Sequence, residues 1–208
     1  MRLKAPLFIV FEGIDGSGKS TACREVAKKL AEEGEPVVSL AEPTGRVNGR
    51  KIRELLSGPI KPDPDVMLEL FVRDREDDAA VNIRPNLANN RIILMDRYYY
   101  SNAAYQGASG LSWKRILKLN ESYGFPVPDK VYIIDIDAET AMERIRLRNE
   151  ATGESSDSFE KKQFLEDVRS IYQALPGNMI CRVDGSMTRE QMVAYILNDI
   201  KSCFSDVE

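Results

Sequence analysis

Residues 7 to 21 read Leu-Phe-Ile-Val-Phe-Glu-Gly-Ile-Asp-Gly-Ser-Gly-Lys-Ser-Thr, and this stretch decides the fold. The apolar run Leu7 to Phe11 predicts a buried strand, and the apolar spacing of Ala22, Val26 and Leu30 predicts a helix. Between them, residues 13–20 fit the pattern G-x-x-x-x-G-K-[ST], whose glycines let backbone N–H groups wrap around a polyphosphate. The sequence therefore predicts a strand, a phosphate-binding loop and a helix in succession.

The loop also supplies side chains with expected roles. Lys19 would reach the β- and γ-phosphates of a nucleotide, and the Ser20 hydroxyl would bind Mg²⁺. The positive end of the following helix would add to the attraction. A glycine-rich turn without a ligand is the alternative. We expect the nucleotide to contact Gly13, Asp15, Gly16, Ser17, Gly18, Lys19, Ser20 and Thr21.

Length and composition indicate one globular domain over residues 1–208. A net charge of −4 argues against a nucleic-acid or acidic-membrane partner, since both are held by basic surfaces. The three cysteines lack metal-ligand spacing and are expected to be reduced thiols. No apolar run approaches the ~18 residues that span a bilayer, so we expect a cytoplasmic protein. The absence of histidine leaves carboxylates, arginine, lysine and Mg²⁺, which suffice for phosphoryl transfer.

Strands alternate with helices along the chain, which predicts an α/β fold: a doubly wound parallel sheet of about five strands flanked by helices. The predicted helix at about 65–84 ends near Pro85, and an irregular aromatic stretch runs from Tyr98 to Gly110. Residues 149–158 carry almost no apolar side chains and are expected to form a mobile lid. Ligands of such sheets bind at the carboxyl ends of the strands, where Glu12, Glu42 and Asp96 are expected to meet.

Several further motifs accompany the phosphate loop along the chain, and the Asn-Lys-x-Asp motif typical of GTPases is not among them. They are Glu42-Pro43, Leu70-Phe71 with Asp74-Arg75, Asp96-Arg97-Tyr98 with Ser101, Ala104-Tyr-Gln-Gly107, Pro128-Asp129, and Glu143-Arg144-Ile145 with Arg148. Together with the loop, these motifs resemble the thymidylate kinase family over nearly the whole chain. The resemblance implies a P-loop kinase that phosphorylates dTMP with ATP and Mg²⁺, and a homodimer.

The resemblance also implies roles for single residues. Lys19, Asp96, Arg97 and Glu12 would be catalytic, Ser20 and Asp96 would bind the metal, and Arg148 would flank adenine. The residues implied in binding the acceptor nucleotide are Asp15, Glu42, Arg53, Phe71, Arg75, Arg97, Asn102, Tyr105 and Gln106.

Among these acceptor residues, arginines suit the phosphate because guanidinium groups bind its oxygens in a bidentate fashion. Phe71 would stack on thymine, and the Gln106 amide would pair with the pyrimidine edge through its donor and its acceptor. Tyr105 would pack beside the sugar and favour deoxyribose. Asp15 as a turn residue and Phe71 as a core residue stay open alternatives.

The sequence departs from the family pattern at several positions. Family members carry a catalytic arginine in the phosphate loop or the lid, but Gly16 occupies the loop position and residues 149–158 contain no arginine. The candidates that remain are Arg144, Arg146, Arg148 and Lys161. Ala41 and Asn102 also differ from common family residues.

Two alternative functions stay open. The protein could be a kinase for another pyrimidine monophosphate such as dUMP, or a nucleotide-binding switch without turnover.

Overall fold

A computed structural model describes residues 3–60, 62–150 and 159–205, apart from the side chains at 149, 150, 159 and 160. Of the lid predicted at about 149–158, residues 149 and 150 form the end of the helix Ala138–Glu150, and residues 151–158 lie outside the described residues. Within the described ranges, every helix is too short or too polar to cross a bilayer.

Five parallel strands form the sheet, in the spatial order β2-β3-β1-β4-β5. They are β1 (Leu7–Glu12), β2 (Val37–Ala41), β3 (Ile92–Asp96), β4 (Lys130–Asp135) and β5 (Ile180–Asp184). The prediction of a doubly wound parallel sheet is thereby confirmed.

Helices cover both faces of the sheet. They are α1 (Lys19–Glu32), α2 (Val47–Ser57), α3 (Pro64–Asp78), α4 (Arg84–Ala88), α5 (Tyr99–Ala108), α6 (Trp113–Ser122), α7 (Ala138–Glu150), α8 (Phe159–Ala174) and α9 (Arg189–Phe204). Side chains of β1 alternate between the faces: Phe8 and Val10 pack with α3, α5, α7 and α8, whereas Ile9 and Phe11 pack with α1 and α9. Burial on both faces explains why the strands read as continuous apolar runs.

Two expectations about local structure were wrong. Residues 99–108, expected to be irregular, form α5, because Tyr99, Tyr100 and two alanines are buried in the core and packing outweighs the modest helix propensity of tyrosine. The helix expected to end near Pro85 continues instead. A π-helical turn at Ala79–Ile83 precedes α4, and Pro85 stands in the first turn of α4, where its missing N–H costs little.

The strand order brings distant residues to one edge. Phe11 of β1 and Ala41 of β2 both pair with Asp96 at the end of β3. The residues that follow these three strands therefore lie side by side, and the phosphate loop leaves the sheet at the same edge.

Candidate active site

The phosphate loop has a backbone that only glycine accommodates at two positions. Gly13 has φ +142°, and a Cβ there would lie 2.6 Å from the Ile134 carbonyl oxygen. Gly16 has φ +83°, and its Cβ would lie 2.4 Å from the Ala141 carbonyl oxygen on α7. Some family members carry an arginine where this chain has Gly16, and the structure gives a physical reason for the glycine: α7 approaches so closely that an arginine side chain has no room.

Lys19 begins α1 and folds back over the loop. Its Nζ donates to the Ile14 carbonyl over 3.3 Å and lies 3.6 Å from Asp15 Oδ1. Burial, and then the like charge of Arg97, lower the pKa of Lys19 to about 8 against the opposing pull of nearby carboxylates. The loop therefore holds a cation whose charge is lost at mildly alkaline pH.

Arg97 joins the loop to the acceptor side. Its guanidinium donates to Asp15 Oδ1 over 2.5 Å and lies 5.0 Å from the centre of the Tyr105 ring. The Tyr105 hydroxyl in turn accepts the Asp15 backbone N–H over 3.0 Å. Desolvation opposes the charge on Asp15, but Arg97 and Lys19 outweigh it and lower the pKa of Asp15 to about 2. Asp15, Arg97 and Tyr105, which the sequence analysis placed in the site, are thus in contact with each other.

The backbone of Arg97 is in the left-handed region, with φ +70°, which is uncommon for a residue other than glycine. Such strain of about 1–3 kcal/mol persists where surrounding contacts fix the residue, and it is concentrated at functional sites. Here the Arg97 N–H donates to the Phe11 carbonyl over 2.9 Å, and its guanidinium donates to Ser101 Oγ over 3.0 Å.

Glu12 lies behind Arg97 and is fully buried. Its Oε1 accepts from the backbone N–H groups of Tyr98 and Ser101, and its Oε2 accepts from the hydroxyls of Ser101 and Tyr172. Burial raises the pKa of Glu12, and these hydrogen bonds oppose the rise. Sequence reasoning missed Tyr172, because a tyrosine on an apolar helix face reads as a core residue and only the approach of α8 to β1 reveals its contact.

Asp96 and Ser20 are the predicted metal ligands. Asp96 Oδ1 is buried at the end of β3 and makes no hydrogen bond to the described residues. Ser20 is exposed in the first turn of α1. In the described ranges no three acids, cysteines or histidines form a metal-binding group. Mg²⁺ at phosphate sites uses one or two carboxylates together with water and phosphate oxygens, so an unpartnered Asp96 oxygen fits such a site.

Arg75 is fully buried, and both of its terminal nitrogens are hydrogen-bonded, whereas its Nε has no hydrogen-bond partner among the described residues. It donates to Glu42 Oε2 over 2.5 Å and to the side-chain oxygens of Asn120 and Asn102 over 2.7 and 3.0 Å. The guanidinium also lies 5.2 Å from the centre of the Tyr98 ring. A buried ion pair with this many partners fixes the surrounding elements relative to each other.

The contacts of Arg75 set the orientation of Gln106. Arginine is only a donor, so Asn102 must face it with its oxygen and turn its amide nitrogen to Gln106 Oε1, 2.7 Å away. Gln106 therefore has its acceptor already engaged, and its Nε2 carries the remaining donors. The residue borders a largely apolar cavity of about 950 Å³ between the α2–α3 connection, α5 and α8.

Two other acceptor-side residues contact protein groups. Phe71 is half-buried against Ile52, Met67 and Leu70, so the structure joins it to a small apolar cluster. Arg53 donates to the carbonyl of Pro43 over 2.6 Å and to that of Thr44.

The buried carboxylate of Asp74 holds the turn that follows β2, which includes Pro43 and Thr44. The Thr44 N–H and hydroxyl both donate to Asp74, each over 2.7 Å. Sequence reasoning did not identify this bond, because the two residues are 30 positions apart and neither belongs to a spaced pattern.

The donor side is formed by α7 and the connection before α9. Arg144 donates to the Gly185 carbonyl over 3.0 Å and to the Ser17 carbonyl over 3.4 Å, next to a cavity of about 290 Å³. The cavity is lined by Ser17, Gly18, Thr21, Ala22, Arg144, Met187, Thr188, Arg189 and Met192. Arg148 is exposed one turn further along α7 and does not border this cavity.

Known proteins of one family are similar to this chain over most of its length. A sequence model of the family described as thymidylate kinase matches residues 11–196. The thymidylate kinase of Leptospira interrogans serogroup Icterohaemorrhagiae serovar copenhageni is 39% identical over 206 residues, covering 97% of this chain and 99% of its own. That of Akkermansia muciniphila is 37% identical over 200 residues (96% and 93%), and that of Desulfotalea psychrophila 36% over 193 residues (93% and 93%). The chain belongs to the thymidylate kinase family.

Proposed function

We propose that the protein transfers the γ-phosphoryl group of ATP to dTMP, giving ADP and dTDP. The observation that carries this proposal is the contact between Asp15 of the phosphate loop and Arg97 of the acceptor side. A loop that binds a polyphosphate and a cation suited to a second phosphate meet at one edge of the sheet, as direct transfer between two nucleotides requires.

On the donor side, the loop N–H groups and Lys19 bind the ATP phosphates, with the adenine in the cavity beside Arg144 and Thr188. We assign Ser20 and Asp96 to hold Mg²⁺, which would neutralise charge on the β- and γ-phosphates. Arg148 lies one turn further out on α7, outside the cavity lining, and we assign it to flank the adenine from there.

On the acceptor side, Arg97 leaves its ion pair with Asp15 and binds the dTMP phosphate, while Asp15 turns to the deoxyribose 3′-hydroxyl. Arg53 can exchange its backbone carbonyl partners for the same phosphate. The two cations offset the repulsion between the acceptor and an already anionic ATP. Catalysis then consists of alignment and charge neutralisation, without a covalent intermediate.

The base is read through the fixed amide of Gln106. Because its oxygen is engaged by Asn102, Gln106 offers a donor, which suits the carbonyl oxygens of thymine and opposes the 4-amino group of cytosine. Uracil offers the same carbonyls, so this contact also favours dUMP, the alternative acceptor. Phe71 would stack on the base, Tyr105 would pack on the sugar, and buried Arg75 and Glu42 would hold the reading residues.

We also propose a cytoplasmic homodimer. Cys23, Cys181 and Cys203 are free thiols, as expected in a reducing compartment. Val66 on α3 and Val81 in the following π-helical turn are half exposed, and such apolar positions on a helical surface suit an interface between copies.

The direct test uses ATP labelled in its γ-phosphoryl group, with dTMP and Mg²⁺. We expect label to appear in dTDP with one ADP formed for each dTDP. Label released only as inorganic phosphate would contradict transfer to an acceptor. Binding of ATP without any effect of dTMP would favour the switch hypothesis.

A further inference from the structure

Tyr172 contributes its hydroxyl to the group of residues behind Arg97. It lies on α8 with 2% of its surface exposed, and its Oη donates to Glu12 Oε2 over 2.8 Å. The same oxygen lies 3.0 Å from Ser101 Oγ. A buried phenol needs a polar partner for its hydroxyl, and here that partner is a buried carboxylate beside the candidate site.

Ser101 connects this carboxylate to Arg97. Its Oγ donates to Glu12 Oε2 over 2.5 Å and accepts from the Arg97 guanidinium over 3.0 Å. A serine hydroxyl has one hydrogen, so directing it to Glu12 turns the oxygen lone pairs toward Arg97. Glu12 therefore fixes the orientation of the group that receives the guanidinium, and Tyr172 fixes Glu12.

We propose that Tyr172 is a positioning residue for Arg97, acting through Glu12 and Ser101. The inference rests on the proposed function, in which the acceptor phosphate takes the place of Asp15 as the partner of Arg97. Once that exchange occurs, Ser101 holds one terminal nitrogen of the guanidinium, and Tyr105 contacts the other nitrogen and the face of the group. An arginine held on the Ser101 side approaches the phosphate in one orientation, whereas a loosely held one loses the alignment that transfer needs.

Tyr132 provides a matched control because its hydroxyl also donates to a carboxylate, on the other face of the sheet. Its ring is fully buried in β4, and its hydroxyl donates to Asp199 Oδ2 over 2.6 Å. The ring belongs to the apolar cluster on the α1 and α9 face of the sheet, opposite the face that holds Tyr172. Changing either tyrosine to phenylalanine removes one phenol–carboxylate hydrogen bond, which is buried for Tyr172 and partly buried for Tyr132.

The experiment measures dTDP formation by wild type, Tyr172→Phe, Tyr132→Phe, Ser101→Ala and the Tyr172→Phe/Ser101→Ala double variant. We expect Tyr172→Phe to lower kcat about tenfold while KM for ATP stays within about twofold of wild type. Ser101→Ala should give a similar loss, and the double variant should lose no more than either single variant, because both changes break one chain of contacts. Tyr132→Phe should keep the wild-type kcat.

A kcat of Tyr172→Phe within about twofold of wild type would overturn the inference. An equal kcat loss in Tyr132→Phe, or losses that multiply in the double variant, would also overturn it, because either result would indicate a general effect on folding or two independent contacts. Ser101→Ala tests the same chain of contacts if Tyr172→Phe fails to fold. A wild-type protein that forms no dTDP would overturn the proposed function, and the inference with it.

Discussion

The Arg97 guanidinium lies 2.5 Å from the Asp15 carboxylate, although 82 positions separate the two residues in the sequence. Asp15 belongs to the phosphate loop, and Arg97 follows the neighbouring strand β3. The ion pair therefore joins the two halves of the candidate site before either nucleotide binds. Because both side chains are partly exposed, the pair is open to exchange with a phosphate group.

Replacing Arg97 by alanine should abolish turnover while the fold persists. An arginine that binds a transferring or receiving phosphate contributes on the order of 10³–10⁵ to kcat, so we expect a loss of at least about 10³. Thermal unfolding followed by circular dichroism should show a Tm close to wild type, since the partly exposed ion pair adds little stability.

The control for this variant is Arg84→Ala. Arg84 begins α4 near the amino end of β3 and donates to the Gly124 carbonyl over 2.8 Å. That position lies away from the carboxyl edge of the sheet, so the Arg84→Ala variant should have the kcat of wild type. Near-normal turnover in folded Arg97→Ala would remove Arg97 from the site.

Activity should fall at alkaline pH because of Lys19. Its lowered pKa of about 8 means that above pH 8 the free protein holds a neutral amine at the phosphate site. The value of kcat/KM for ATP should therefore decline about tenfold per pH unit beyond a midpoint near 8.

The Asp15→Asn variant tests whether Lys19 causes this decline of kcat/KM at alkaline pH. The negative charge of Asp15 raises the pKa of Lys19, so its removal should move the midpoint to lower pH. A profile that stays flat to about pH 9.5 in wild type would show that Lys19 keeps its proton, contrary to its buried setting.

Gln106→Ala should weaken the binding of the pyrimidine nucleotide. It removes the donor that the Arg75 and Asn102 contacts hold in place, and the loss of one hydrogen bond corresponds to about a tenfold rise in KM for dTMP. KM for ATP, determined in the same variant, serves as the internal control and should not change. An unchanged KM for dTMP would refute the base-reading role.

Asp74→Asn should destabilise the turn that follows β2. The carboxylate accepts both the N–H and the hydroxyl of Thr44, and an amide cannot accept both equally well. We expect a loss of about 1.5–3 kcal/mol in the free energy of unfolding. Urea denaturation measures it, with Asp77→Asn on the same helix as the control, because Asp77 meets Asn48 at a longer 3.3 Å. Equal stability of the two variants would contradict this account.

The sequence predicts well whatever depends on local periodicity. The run Leu7 to Phe11 identifies β1, because a strand buried on both faces has to be apolar throughout. The phosphate loop is equally readable, since the two glycines at fixed spacing in its pattern, Gly13 and Gly18, both have positive φ angles. Family resemblance adds Arg97, which follows β3 at the carboxyl edge of the sheet, and Gln106, which borders the cavity between the α2–α3 connection, α5 and α8.

What the sequence does not predict depends on long-range packing. Helix α5 forms from a tyrosine-rich stretch because the core receives Tyr99 and Tyr100, a condition that no local pattern encodes. The contact of Tyr172 with Glu12 spans 160 positions and depends on the packing of α8 against α5 and α7. The direction of the Gln106 amide likewise follows only from its contact with Asn102.

The most direct measurement is ADP formation from ATP and Mg²⁺ with dTMP, dUMP, dCMP, UMP, AMP and dGMP as separate acceptors. Phosphoryl transfer to dTMP predicts ADP formation that depends on the acceptor, is fastest with dTMP, is slower with dUMP and is negligible with dCMP. Equal rates with and without an acceptor, or no ADP with any of the six, would contradict the account.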